Sequence, residues 1–68
     1  MKATLTTAPA KAGGNWKIRV VQDGRLFTGV LLNSANLKVK GKKATVDQQV
    51  SVKVIQAKAD DNIQCELL

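Results

Sequence analysis

Histidine and tyrosine are absent from this 68-residue chain, and cysteine, proline, methionine, tryptophan and phenylalanine each occur once. Without histidine, zinc sites of the usual kind are excluded, and so is a cysteine or serine nucleophile activated by an imidazole. The lone Cys65 has no partner for an internal disulfide, which fits a reducing, cytoplasmic setting. Two aromatics, Trp16 and Phe27, offer little for base stacking. Long apolar runs are also missing. Met1-Lys2 starts as a signal peptide would, but Ala3–Ala10 lacks a sustained apolar stretch. No run approaches the roughly 20 apolar residues that cross a bilayer, so no membrane partner is expected.

Acidic residues are the other shortage. Eleven Lys and Arg face five Asp and Glu, for a net charge of +6. Residues 1–46 carry nine basic side chains against one acid, Asp23, whereas 47–68 carry two against four. A one-sided positive field suits a polyanionic partner, although lysines also simply solubilise small domains. Sixty-eight residues allow one domain with a marginal core, which a tight barrel, self-association or a ligand would have to reinforce.

What is present reads as strands. Asp23-Gly24 separates two apolar-rich runs, Trp16–Gln22 and Arg25–Leu32. Asp-Gly accepts the positive φ of a type I′ turn, and a two-residue loop sets Gln22 opposite Arg25. Val20 then faces Phe27, Ile18 faces Gly29 and Trp16 faces Leu31, which gathers an apolar face around a glycine. Lys17 and Arg19 alternate outward. The opposite face, with Leu26, Thr28, Val30 and Leu32, is also largely apolar. A barrel strand, a covering N-terminal arm or a subunit interface through Leu26, Val30 and Leu32 would each account for it.

Residues 1–15 read by composition as a flexible basic arm, with room for a short strand at Ala3–Thr7. The domain proper is then 16–68. Asn33–Asn36 is a turn, Leu37–Lys40 a short strand with its lysines outward, and Gly41–Lys43 a basic loop. Val50, Val52 and Val54 alternate with polar residues as in a half-buried strand, and β-branched density argues against helix there. Lys58–Asp61 serves as the turn of a second hairpin, in which Val52 faces Leu67, Lys53 faces Glu66 and Val54 faces Cys65. The total is an all-β domain of five strands, a small barrel.

No catalytic constellation appears. Cys65 lies on the core face, and Asp60-Asp61 are turn residues. No enzyme, cofactor or metal is therefore expected. Lys38, Lys40, Lys42 and Lys43, four lysines in six residues, are the densest charge on the chain. With Lys17, Arg19 and Arg25 at the margin, and Trp16 as the aromatic nearest the surface, they form the candidate nucleic-acid-binding set. Nine lysines against two arginines favour backbone contacts over base reading. Outward lysines can equally protect sheet edges from aggregation.

The runs Val46–Ile55 and Asn62–Leu68 resemble the closing strands of OB-fold RNA-binding domains of the ribosomal-protein kind, with Trp16–Leu32 standing for the first two strands. Asp23–Gly29 and Ala35–Val39 are similar to the first motif of Sm-like proteins, the second choice. Both resemblances imply a small closed β-barrel, OB-like or SH3/Sm-like. Both also imply a nucleic-acid partner, single-stranded by analogy.

Overall fold

A computed structural model describes residues 1–58 and 62–68. It contains seven strands: β1 Lys2–Thr7, β2 Trp16–Gln22, β3 Arg25–Leu31, β4 Lys38–Val39, β5 Lys42–Lys43, β6 Gln49–Lys58 and β7 Asn62–Leu67. Five of them close a barrel in the order β1-β2-β3-β7-β6, and β4-β5 form a separate two-stranded sheet. The described residues include no helix long and apolar enough to cross a membrane.

Inward residues recur every second position, as the strand period requires: Ala3 and Leu5, then Trp16, Ile18 and Val20, then Leu31, Val50 and Val52, then Ile63 and Cys65. Their side chains fill a barrel too narrow to hold a channel. The β2–β3 register is the expected one throughout, from Trp16↔Leu31 to Gln22↔Arg25. Asp23 and Gly24 both have positive φ (53° and 77°), so the turn is the type I′ that their identities predict. In β6–β7 the pairs Val52↔Leu67, Lys53↔Glu66 and Val54↔Cys65 also stand as predicted. A register shift between Val54 and Gln56 then turns the strand, leaving Val54 and Ile55 exposed. Lys58 belongs to β6, and the remainder of the predicted turn, 59–61, lies outside the described residues.

The short strand allowed at Ala3–Thr7 is present, one residue longer, but residues 1–15 are not a flexible arm. Lys2–Thr7 is a barrel strand, paired on one side with β2 and on the other with β6. Ala3 and Leu5 point into the core while three threonines supply β-branched propensity, so a composition read as linker is a stave of the barrel. The domain therefore starts at β1, and residues 8–15 form a loop within it. Trp16–Leu32 correspondingly supplies the second and third barrel strands, not the first two.

β3 and β7 run parallel, from Thr28↔Asn62 to Leu31↔Cys65. Counting barrel strands alone, the order is first, second, third, fifth, fourth. That is the Greek-key connectivity of an OB-like barrel, whereas an SH3/Sm-like barrel would pair its neighbours antiparallel. Gly29 sits at this parallel seam, where a Cβ would lie 2.0 Å from the Ile63 carbonyl oxygen. The glycine is there because the β7 backbone occupies the space of a side chain.

Candidate nucleic-acid interface

The lysine cluster is a second hairpin. Lys40 and Gly41 both take positive φ (53° and 78°), a type I′ geometry like that at Asp23-Gly24. The expected basic loop at Gly41–Lys43 is therefore a turn followed by strand β5. Leu37 and Ala44, joined by the Ala44 N–H donating to the Leu37 carbonyl (3.1 Å), bury themselves and anchor the base of the hairpin against the core.

Alternation along β4 and β5 then divides the lysines. Lys38 stands opposite Lys43, and Val39 opposite Lys42. Directly opposed residues share a face of the ribbon, so Lys42 goes with half-buried Val39 while Lys38 and Lys43 project from the other side. On the Lys42 side lies a cleft of about 360 Å³ lined by Val39, Lys40, Lys42, Gln48 and Gln49. On the Lys38 side lies a larger open groove of about 850 Å³, running between the hairpin and the loop 8–13. Lys11, Lys38 and Lys43 rim this groove, its apolar floor includes Pro9, Trp16, Leu37 and Val46, and among the described residues no carboxylate lines it. Past Lys38 it meets a cleft bordered by Asn15, Asn33 and Asn36.

A small polar network fixes the two walls relative to each other. The Trp16 N–H donates to Ser34 Oγ (2.8 Å), Ser34 Oγ–H donates to the Leu31 carbonyl, and the Ser34 N–H donates to Asn15 Oδ1 (3.2 Å). Ser34 is fully buried, so the start of β2 and the segment leading to β4 are tied together out of water. On the other wall, the Gly14 N–H donates to the Lys11 carbonyl (3.0 Å), which closes a turn at the loop's end. Lys11 was missed because it stands alone in a segment read as an arm. The sequence signal was Pro9 and Gly13-Gly14 bracketing it, a turn composition.

The other predicted residues scatter. Lys17 and Arg19 are exposed on the outer face of β2, beside a cleft of about 550 Å³ that includes Thr6, Lys17, Thr28 and Asn62. Arg25 lies at the far end of the hairpin, about 17 Å of strand from the residue paired with Lys17. Its guanidinium sits 5.2 Å from the Phe27 ring centroid, a cation–π contact, so it does not join the groove. Trp16 is only 6% exposed and belongs to the core; an edge reaches the groove floor, and the ring is not a stacking platform.

No family model matches the chain, and no curated protein or solved structure does. The site's own chemistry therefore carries the functional reading. Its cations can hold an anion. Cys65 is fully buried, and burial pushes its thiol above the ordinary value, so it offers no accessible thiolate.

Proposed function

We propose that the protein is a non-catalytic nucleic-acid-binding module that holds single-stranded DNA or RNA by its phosphates. The observation that carries this reading is the groove rimmed by Lys11, Lys38 and Lys43, with no carboxylate among its described lining residues, on an OB-like barrel. Closely spaced cations with no competing carboxylate attract a polyanion and release its counterions on binding. An apolar floor beside them accommodates unstacked bases, which a duplex does not present. Lysine predominance and the burial of Trp16 favour backbone contacts, and hence little sequence preference.

Fluorescence anisotropy with labelled single- and double-stranded DNA and RNA, titrated with salt, tests the proposal. Binding to single strands should weaken with log salt by a slope of about 0.7 per phosphate neutralised. Undetectable affinity for every strand at low salt would sink it.

A second reading, a self-associating or protein-interaction module, rests on the outer face of β2–β3. Val21 and Leu26 stand opposite each other and are 67% and 51% exposed, with half-buried Val30 and Leu32 farther along. Sedimentation at high concentration decides it: a strict monomer there removes the self-association form of this reading.

A further inference from the structure

The four lysines of the β4–β5 hairpin are close in sequence, but the ribbon separates them into two pairs. Lys38 and Lys43 are a directly opposed cross-strand pair, which sets their Cβ atoms about 5 Å apart on one face. Like charges so placed repel, and among the described residues the groove they rim provides no carboxylate to offset them. Lys11, on the loop 8–13, lines the same groove. The turn between them holds Lys40 at φ 53°, a left-handed conformation that Asn, Asp or Gly adopts more readily. The buried Leu37 and Ala44 hold the hairpin, and with it this pair of like charges, in place, and an anion seated between the two ammonium groups offsets their repulsion.

We infer that Lys38 and Lys43, with Lys11 of the same groove, form a phosphate clamp, and that Lys40 and Lys42, on the far side of the ribbon, lie outside it. The ligand class is a phosphate group with at least two free anionic oxygens' worth of charge to share, as a phosphodiester strand offers in succession or a pyrophosphate offers at once. The physiological choice of a nucleic-acid strand rests on the function proposed above; the clamp itself does not. One strand of nucleic acid would enter with its phosphates along the three lysines and its bases toward the apolar floor.

The test compares two variants that lose the same charge. Lys38→Gln/Lys43→Gln removes the clamp, and Lys40→Gln/Lys42→Gln removes its neighbours; all four side chains are exposed, and circular dichroism checks that both fold. Each is titrated with a single-stranded oligonucleotide across a range of salt. The clamp variant should lose about 1.4 from the salt slope, two contacts' worth on single strands, and the neighbour variant less than half of that. Equal losses in the two variants would overturn the clamp and leave a diffuse lysine patch that still binds nucleic acid. In a second arm, thermal unfolding is followed in pyrophosphate and in chloride at matched ionic strength. Pyrophosphate should raise the melting temperature of the parent protein and of the neighbour variant, but not of the clamp variant. That result without oligonucleotide binding would keep the clamp, assign it to a small polyphosphate and overturn the nucleic-acid reading. No stabilisation by pyrophosphate and no oligonucleotide binding would overturn both.

Discussion

Hairpins β2–β3 and β4–β5 turn through nearly the same backbone, with Asp23-Gly24 at φ 53° and 77° and Lys40-Gly41 at φ 53° and 78°. Everything else about them differs. In β2–β3 the first turn residue is one that tolerates positive φ, the strands run seven residues each, and the inward cross-strand pairs are apolar. In β4–β5 the first turn residue is a lysine, the strands run two residues each, and the two pairs are Lys38↔Lys43 and Val39↔Lys42. The first hairpin is specified by its own sequence. The second is held from below, by Leu37, Ala44 and the Ser34 network, and spends its local preferences on charge. A hairpin whose residues work against its own turn is where a binding role is to be sought, because local and global preferences in a foldable chain otherwise agree.

Substitutions can widen or erase this difference. The largest effect is expected at the seam that locks the first hairpin into the barrel. Gly29→Ala places a methyl group against the β7 backbone, which has no flexible side chain to yield, and should cost about 3 kcal/mol or more. For a domain this small that is a large share of the total stability, seen as a marked drop in the melting temperature. Next comes Ser34→Ala, which strands the buried Trp16 N–H. A loss of about 1–3 kcal/mol in urea unfolding is expected, with a shift in Trp16 emission as the groove wall loosens.

Exchanging turn residues between the hairpins tests the comparison directly. Lys40→Asn should stabilise by about 1 kcal/mol, and Asp23→Lys should destabilise by a similar amount. If both substitutions were neutral, the two turns would not differ in strain. The smallest effect concerns Cys65, which pairs with Leu31 of the first hairpin across the seam. Burial raises its folded-state value above the ordinary 9.0, so the unfolded chain gives up this proton at lower pH than the folded one. Stability is therefore fully present below about pH 8 and falls as pH rises through 9.0. In Cys65→Ala that alkaline slope should shrink, whatever the offset from the small cavity.

Much of the fold was legible because strand alternation and turn chemistry act locally. Asp23-Gly24 fixed one register, and apolar pairing with Lys53 opposite Glu66 fixed most of the other. The bulge after Val54 was not legible, since nothing in Val54-Ile55-Gln56 marks which residue is left over. A short strand at Ala3–Thr7 was legible, but its place in the barrel was not, because only Ala3 and Leu5 mark its inner face and its second neighbour, β6, lies more than 40 residues along the chain. The parallel β3–β7 seam leaves only Gly29 as a trace, and a mid-strand glycine has several explanations. At the site, the lysines were visible as a cluster, but a Lys-Gly type I′ turn goes against propensity and so hid the hairpin that sorts them. Lys11 joins the groove only through the way residues 8–15 fold back; Pro9 and Gly13-Gly14 mark a turn there but not where it packs.

The place of β1 between β2 and β6 also sets an order of events. A ribosome delivers β1 early, and β2 can pair with it at once. Its other edge must wait until Gln49–Ser51 has been made, and the seam waits longer still, for Asn62–Cys65. Until then the nascent sheet carries open edges, and outward Lys2, Lys17 and Arg19 discourage pairing with other chains. Closure through contacts so distant in sequence is intrinsically slow, on the order of milliseconds to seconds for barrels of this kind. Closure of the barrel therefore comes last, and the groove, which needs both the loop after β1 and the β4–β5 hairpin held against the core, is complete only then.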